Sequence, residues 1–406
     1  MRIVSKASTA AGETNKIDIT PFAQNGESEI GGVGTTYTAL VAPGEVVAKL
    51  YFTDDMSDAK PVTMTTNVTA AGNSYIYNLN VGKDKIKVTG IKAGAWTAAD
   101  GTTTGDLICY PYVTFTAKDP QTFKISYNIS SLEYSVNNGK WATVKAGTEV
   151  TFGGPHGDLR LRGTNTNGTA TGSNEWSTFS TITFTDKNVK VACTGDIRTL
   201  LDWRNYSTVD TKNAKFCYLF KDCSVLTSAP DLPATELADY CYYKMFEGCT
   251  SLTSAPELKA TELAWKCYGS MFSGCTSLEK APELKATKLT NECYSYMFSG
   301  CTSLEKAPEL KATTLVYQCY YSMFSGCTKL STVTMLAPSD QISKTTKCCY
   351  NWLNNAGTDG TVSSRTLIVT DEAAYNALVN KGYLPANWKK GAAGTTVQYG
   401  NKNEIK

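Results

Sequence analysis

Apolar residues recur at a fixed spacing along the C-terminal half of the chain. Leu219-Phe220 is followed by four Met-Phe pairs, which begin at positions 245, 271, 297 and 323 and are each 26 residues apart. The same spacing separates Cys223, Cys249, Cys275, Cys301 and Cys327. A strict period of this length predicts stacked structural repeats. No repeat could bury its apolar stripe alone, so we expect the five repeats to share one continuous core.

Within each repeat, apolar residues also recur at steps of four. In the second repeat these residues are Leu237, Cys241, Met245 and Cys249. This spacing predicts an apolar stripe on a helix of about three turns, ended by Gly248. Leu252 and Leu258 then flank Pro256, which favours an extended backbone in the residue before it. Each repeat is therefore predicted to contain one extended rung and one short helix.

The N-terminal half shows the alternation that is typical of β-strands. The apolar residues with a period of two are Tyr75, Tyr77, Leu79 and Val81 in one segment and Phe123, Ile125, Tyr127 and Ile129 in another. Asn138-Gly139 is a dipeptide that strongly favours a hairpin turn. We therefore predict two β-sandwich-like domains, an attachment domain at 35–118 and a smaller sandwich at 119–200. Residues 1–34 lack this periodicity and are predicted to form an N-terminal arm.

The repeats, placed at 201–336, need a cap at the end of the stack. Residues 348–353 echo residues 319–324 with a shift of 29, which predicts a degenerate sixth repeat. A strand at 366–369 and a helix that begins after Asp371 are expected to follow it. Residues 337–406 are therefore predicted to form a C-terminal cap, which ends near Trp388, and a polar tail.

Composition disfavours several functional classes. Charged residues make up 19% of the chain, and 39 Lys and Arg oppose 37 Asp and Glu. With this balance we expect no nucleic-acid partner and no attraction to an anionic membrane. His156 is the only histidine, which disfavours familiar catalytic relays and His-rich metal sites. We expect a non-enzymatic protein with no cofactor, no metal and no membrane insertion.

The fourteen cysteines permit three interpretations. The chain contains no C-x-x-C motif, so metal binding is the least favoured of them. On the predicted helix, Cys241 and Cys249 would lie about 12 Å apart, whereas a disulfide needs Cα atoms within about 7 Å. A ladder of buried, reduced thiols is favoured. One or two disulfides near Cys348-Cys349 or at Cys217 and Cys223 are the alternative.

Two rows of side chains are candidate partner-binding surfaces. Leu258 must point into the core, so its neighbours on the rung face solvent. The resulting mixed-charge strip contains Glu257, Lys259, Glu283, Lys285, Glu309 and Lys311. The second row contains Tyr242, Tyr268, Tyr294 and Tyr320. The strip could serve solubility or bind a protein, and the tyrosines could pack within the repeats or stack on sugars.

The repeat sequence resembles a known family. The pattern Cys-Tyr-x-x-Met-Phe-x-Gly-Cys-Thr-Ser-Leu-x-x-Ala-Pro-Glu-Leu-x-Ala-Thr begins at Cys241 and again at Cys267 and Cys293. It resembles the BspA-type leucine-rich repeats of surface proteins of gut Bacteroidales and of the phages that infect them. The resemblance covers about residues 202–336 and departs from the family at Lys215, where a cysteine is expected. It implies a curved α/β solenoid that follows the β-sandwich-like domains and serves binding or adhesion.

Two functions follow from this resemblance. The first is a phage virion surface component, such as a head fibre, decoration protein or tail appendage, because the first nine residues lack the apolar run of a secretory signal. Its N-terminal domains are expected to contact other virion structural proteins, and its repeats a host-surface protein or glycan. We also expect a homo-oligomer. The alternative is a bacterial cell-surface adhesin with the same repeats. A glycan hydrolase, the third class, needs two facing carboxylates, which a sequence alone does not locate.

The state of the cysteines can be tested directly. Buried thiols stay reduced because oxidants do not reach them. When the protein is unfolded without reductant, we expect a thiol titration to find about ten or more reactive groups. A titration that finds only a few would indicate a disulfide framework formed in an oxidising compartment.

Overall fold

The chain forms two bodies, an N-terminal body at 1–109 and a C-terminal body at 110–406. The structure, a computed structural model, describes residues 111–137, 139–170 and 179–400 together with the backbone of eight strands in the N-terminal body. The boundary predicted between the first two domains, at residue 118, lies C-terminal to the boundary between the two bodies, at residue 109. Strand Val113–Ala117, which was expected in the first domain, pairs with strands of the C-terminal body.

Strands of the N-terminal body include part of the predicted arm. The strands are β1 (Arg2–Ser8), β2 (Thr14–Ile19), β3 (Phe22–Asn25), β4 (Thr35–Thr38), β5 (Gly44–Tyr51), β6 (Val62–Val68), β7 (Asn73–Val81) and β8 (Ile86–Ala95). Four of them form a sheet in the order β2-β1-β5-β6, and β3 with β4 and β7 with β8 form two-stranded pairs. Because β1 pairs with both β2 and β5, the stretch at 1–34 contributes to a sheet and is not only an extended arm.

A β-sandwich begins the C-terminal body. Its strands are β9 (Val113–Ala117), β10 (Gln121–Ile125), β11 (Glu133–Val136), β12 (Ala142–Thr143), β13 (Val150–Phe152), β14 (Leu159–Arg162), β15 (Ile182–Phe184) and β16 (Val191–Thr194). Five strands form one sheet in the order β12-β11-β14-β9-β16, and three form another in the order β13-β10-β15. Alternate residues of β9 and β10 are buried, and the rings of Phe115 and Phe123 lie 6.3 Å apart between the sheets.

The predicted helix of each repeat is wrong. In the third repeat, residues 266–275 form a run of tight turns in which successive N–H groups alternate between two kinds of acceptor. The Met271 N–H donates to the Tyr268 carbonyl three residues earlier at 3.2 Å, whereas the Phe272 N–H donates at 2.9 Å to the Met297 carbonyl of the next repeat. In an α-helix every N–H would donate to the carbonyl four residues earlier. We call these segments the turn runs.

Every fourth residue of a turn run has a positive φ. In the third repeat these residues are Lys266 at 52°, Ser270 at 51° and Gly274 at 73°. Glycine adopts this conformation without a steric penalty. For residues with a side chain, such as Lys266 and Ser270, the left-handed conformation raises the free energy of the folded state by roughly 1–2 kcal/mol each. The hydrogen bonds between repeats and the packing of the core must offset this cost.

Equivalent rings of successive repeats stack face to face. The ring centroids of Phe246 and Phe272 are 5.6 Å apart with an interplanar angle of 2°, and those of Phe272 and Phe298 are 5.7 Å apart. These distances approach the roughly 4.8 Å between paired strands and are well below the roughly 8–10 Å between packed helices. Each repeat is therefore one layer of a hydrogen-bonded stack. The phenylalanine column contains Phe220, Phe246, Phe272, Phe298 and Phe324.

The β-sandwich closes the first end of the repeat stack. The Ile182 N–H donates to the Leu219 carbonyl at 2.7 Å, and the Ile197 N–H donates to the Asp231 carbonyl at 3.1 Å. Phe115 of the sandwich lies 6.1 Å from Phe220 of the first repeat. The buried residues of both parts belong to one hydrophobic cluster. The segments predicted as separate domains at 119–200 and 201–336 therefore share a core.

A small parallel sheet closes the other end. Its strands are β17 (Thr332–Met335), β18 (Arg365–Val369) and β19 (Thr395–Tyr399), in the order β17-β18-β19. Two helices accompany them, α1 (Ser339–Lys344) and α2 (Glu372–Asn380). Strand β17 continues the rungs of the repeats, because Lys306 forms a parallel bridge to Thr332. The stack thus merges into the cap without an open end at this point.

The predicted details of the cap are confirmed in three places and wrong in one. The strand expected at 366–369 is β18. Helix α2 starts after Asp371, whose side chain accepts a hydrogen bond from the Ala374 N–H at 2.7 Å. The degenerate sixth repeat is also present. Between the earlier repeats, the phenylalanine N–H donates to a carbonyl 25 residues later, whereas the Phe324 N–H donates to the Trp352 carbonyl 28 residues later, which matches the three inserted residues. The expected polar tail after Trp388 instead contains strand β19.

The described part of the chain is β-rich and multidomain, and this coarser part of the predicted fold class is confirmed. Nineteen strands and two α-helices are assigned in the described part of the chain. None of the described helices combines the length and the apolar character that crossing a bilayer would require.

Replacing Phe272 with alanine removes the middle ring of the phenylalanine column. Phe272 is 0% exposed, and truncation of such a ring should lower the free energy of unfolding by about 3–5 kcal/mol. Because the sandwich and the repeats share a core, we expect their unfolding to shift together in urea titrations and in calorimetry of the full chain.

Tyr296→Ala is the matched control. Its ring is 41% exposed, so its removal should lower the free energy of unfolding by less than about 1 kcal/mol. If Phe272→Ala caused only local proteolysis within the third repeat while the global transition stayed unchanged, the shared core would be refuted.

Candidate functional site

The tyrosine row is buried and does not form a binding surface. The exposed fractions are 1% for Tyr242, 2% for Tyr268, 1% for Tyr294 and 1% for Tyr320. The rings of Tyr268 and Tyr294 stack 5.8 Å apart with an interplanar angle of 4°. Burial raises the pKa of all four phenols above its ordinary value. Of the two uses considered for these tyrosines, packing within the repeats is the one that the structure shows.

The mixed-charge strip faces solvent, as its position beside a buried leucine predicts. Leu258 is 2% exposed, whereas the side chain of Glu257 is 60% exposed. Lys285 donates to Glu257 at 2.6 Å and Lys311 donates to Glu283 at 2.5 Å, so each pair joins two adjacent repeats. These hydrogen bonds lower the pKa of both carboxyl groups.

The remaining residues of the strip add little to these pairs. Lys259 lies 3.9 Å from Glu257, and Glu309 is exposed. Ion pairs at such a surface contribute little to stability. Since the charges within the strip already pair with one another along the stack, we consider solubility to be its main use.

The five cysteines of the 26-residue series form a column of hydrogen-bonded thiols; they are Cys223, Cys249, Cys275, Cys301 and Cys327. The thirteen cysteines that the structure describes are buried, and none of them is bridged. The Cys275 thiol donates to the Phe246 carbonyl at 3.1 Å, and the Cys301 thiol donates to the Phe272 carbonyl at 3.1 Å. Burial raises the pKa of Cys275 to about 12. This arrangement matches the reduced-thiol interpretation, although the thiols lie on turn runs and not on helices.

Other candidate chemistry lies apart from the repeats. His156 is exposed in a short 3₁₀ turn at Gly154–His156. In the part of the chain that the structure describes, no three His, Cys, Asp or Glu side chains are grouped so that they could hold a metal ion. Asp54, Asp55 and Asp58 are clustered in the sequence, but their spacing matches no calcium-binding loop, and they lie outside the described residues.

Differences between the repeats define a surface that the composition does not reveal. Residues 271–287 recur without change at 297–313. By contrast, the nine residues that precede each of these segments, 262–270 and 288–296, have only a leucine, a cysteine and a tyrosine in common. Most of the differing positions are exposed or half-buried. We call these positions of the second to fifth repeats, 238–240, 243 and 244 and their equivalents at intervals of 26, the turn face.

Aromatic residues are concentrated on the turn face. The exposed fraction is 40% for Trp265, 41% for Tyr296 and 42% for Tyr317, and Tyr350 of the sixth repeat is exposed by 42%. Exposed aromatic rings supply large contact areas with little loss of side-chain entropy on binding. A group of exposed aromatic residues on otherwise uniform repeats is typical of a recognition surface.

A shallow groove of about 490 Å³ crosses the turn face. It is lined by Asp239, Ala264, Trp265, Thr290, Asn291 and Val316. Asp239, Trp265 and Asn291 occupy the same position in the second, third and fourth repeats. The stacking of repeats therefore sets a carboxylate, an indole and an amide side by side along the groove.

The Trp265 side chain is fixed from several directions. Its Nε1–H donates to Glu292 Oε1 at 3.2 Å, and the Tyr240 ring packs edge-on against it at 5.0 Å. The Lys266 ammonium lies 5.2 Å from the indole centroid and 3.2 Å from Glu292 Oε2. Asp239 Oδ1 accepts a hydrogen bond from the Trp265 backbone N–H at 2.9 Å. The indole is therefore held in place before any ligand arrives, which lowers the entropic cost of binding.

Sequence reasoning did not identify this surface. The tyrosine row was chosen because it repeats, but its rings belong to the core, and the repeated side chains that face solvent are those of the mixed-charge strip. The useful signal was the opposite one, the positions at which nearly identical repeats differ.

Comparisons with protein-family models, with curated proteins and with solved structures give no match for this chain. The functional argument therefore depends on the geometry of the turn face and of the stack beneath it.

The buried thiols predict a steep loss of stability in alkali. An unfolded thiol has a pKa of about 8.5, whereas burial raises that of Cys275 and Cys327 to about 12. The unfolded chain therefore loses protons first as pH rises. Stability should be fully present below about pH 8.5 and should fall progressively as pH rises toward about 12. Urea titrations in reductant at a series of pH values would measure this slope.

Cys275→Ala provides the control. Removing one thiol should lower the proton release on unfolding near pH 10 by about one proton and make the slope shallower by more than about 1 kcal/mol per pH unit. An unchanged slope would show that the Cys275 thiol is not protonated and buried in the folded protein.

Proposed function

We propose that this chain is a non-enzymatic recognition protein whose leucine-rich-repeat solenoid presents the turn face to a partner. The observation that supports this most directly is the contrast between the invariant core and rungs and the variable, aromatic turn face. The core and rungs need the same residues in every layer because they make the contacts between layers. The turn face also makes contacts between layers, such as those of Trp265 with Tyr240 and Glu292, but it makes them with different residues in different layers, so its residues can be suited to a ligand.

The repeats resemble the BspA-type family, and this likeness supports a role at a surface. We place the protein on a phage virion, as a head fibre, decoration protein or tail appendage, with the N-terminal body attached to other virion proteins in a homo-oligomer. The turn face would then contact a protein or glycan on the host. This assignment rests on family analogy, whereas the choice of the turn face rests on its side chains.

Binding to cells tests the recognition role. The fluorescently labelled full chain would be incubated with a panel of Bacteroidales strains, beside a variant that carries Trp265→Ser, Tyr296→Ser and Tyr317→Ser. These exposed side chains contribute little to folding, so the variant should stay folded and lose at least tenfold in cell binding.

A variant with Glu257→Gln and Glu283→Gln on the rungs is the matched control for substitutions on an exposed surface outside the turn face. It removes two charges from the mixed-charge strip and should bind cells as the unmodified chain does. Loss of binding in the rung variant with normal binding in the turn-face variant would transfer the recognition role to the strip. Immunogold labelling of phage particles and of cells would then separate a virion protein from an adhesin of the bacterial surface.

A further inference from the structure

We propose that the groove at Asp239, Trp265 and Asn291 binds neutral hexose units of a cell-surface glycan. This proposal rests on the proposed recognition function and names the chemical class of its ligand. The groove volume of about 490 Å³ lies within the range of small-molecule sites, about 300–1,000 Å³. The site is open along the stack, so it admits part of a longer chain and does not enclose a whole molecule.

The indole of Trp265 provides the apolar part of the site. A hexose presents a flat face of C–H groups and a rim of hydroxyl groups. The C–H face packs on an aromatic ring, whose faces are electron-rich. Trp265 is 40% exposed and is already fixed by Glu292 and Tyr240. Binding therefore requires no rearrangement of the ring.

Polar groups on both sides of the indole match the hydroxyl rim. Asp239 Oδ1 is engaged by the Trp265 backbone, which orients the carboxylate and leaves its other oxygen as an acceptor. Asn291 is exposed, and its amide can both donate and accept. Adjacent layers are 5.6–5.7 Å apart, measured between phenylalanine rings. One sugar ring over Trp265 thus lies between an acceptor and an amide.

The charges around the groove favour a neutral ligand. Asp239 is the only ionisable side chain among the lining residues, and a carboxylate repels uronic acids, sialic acids and phosphates. The nearby Lys266 ammonium is paired with Glu292 at 3.2 Å, so it is not left to attract an anion.

The shape of the groove favours a sugar over a peptide. Protein interfaces take most of their binding energy from large side chains that enter well-packed, fully desolvated pockets. Here the apolar lining beyond the indole is limited to Ala264 and Val316, beneath an open surface. Tyr317, which is 42% exposed, lies two layers from Trp265 and offers a second ring for another sugar farther along the same glycan.

Isothermal titration of the full chain with neutral hexasaccharides tests the proposal. The probes are cellohexaose, maltohexaose and mannohexaose, with a hexamer of galacturonate as the anionic comparison. At least one neutral probe should bind, and Trp265→Ala should weaken it at least tenfold. Asn291→Ala should weaken it about threefold or more, and Trp265→Phe should restore most of the affinity because it restores a ring.

Tyr127→Ala is the control for loss of an exposed aromatic residue elsewhere. Tyr127 is 53% exposed on the β-sandwich, and its replacement should leave affinity within twofold. Equal binding by Trp265→Ala and the unmodified chain would overturn the proposal, and so would preference for the galacturonate hexamer or failure of all the neutral probes.

Treatment of the cells separates this proposal from the recognition function. Periodate cleaves the vicinal diols of sugars, and a protease removes surface proteins. Cell binding that is lost after periodate and retained after protease would support a glycan ligand. Binding that resists periodate but is lost after protease would leave recognition in place and refute the hexose site. Absence of binding to every strain would refute both.

Discussion

Hydrogen bonds from each repeat to the next are the constraint on which the C-terminal body depends. They use every second N–H of the turn runs and hold the layers at the separation of paired strands. At that separation equivalent side chains must stack directly on their neighbours, so flat rings and small thiols suit the interior. The same pattern gives every fourth residue a positive φ, which is a local cost accepted for cohesion between layers. These hydrogen bonds between layers involve only half of the N–H groups in a turn run, but they recur in each layer.

The sequence was sufficient to predict the layers and their caps but not the backbone within a layer. The period of 26, the degenerate sixth repeat and the start of helix α2 follow from residues whose spacing or capping chemistry is specific. The steps of four were assigned to a helix, although such positions drift by about 40° per step around an α-helix. From Leu237 to Cys249 a helical stripe would rotate by about 120°. A stripe that stays on one side over that distance indicates a strict period of four, which the turn runs have.

For the candidate site, the rung surface was predictable and the turn face was not. Alternation along an extended rung correctly placed Glu257 and Lys259 outside beside Leu258. For the tyrosine row, packing within the repeats and stacking on sugars were both open, and the structure shows the packing, although the helix on which the row was expected does not form. Backbone hydrogen bonds that hold the layers together make no demand on the side chains of Trp265 or Asn291. The equivalent positions hold Asp239, Trp265, Asn291 and Tyr317, so the stack accepts different side chains there.

The identity of residues 271–287 and 297–313 also affects how such a gene can change. A coding sequence with near-exact tandem copies can misalign with itself during replication or recombination, and it then gains or loses whole copies. Each layer packs on its two neighbours through the same core and rung residues. A chain with one copy more or less would therefore keep the same core contacts between layers and both caps. Its length would change by one layer, 5.6–5.8 Å between stacked rings. Copy number could thus alter the span of the turn face in fixed increments while single substitutions alter its chemistry.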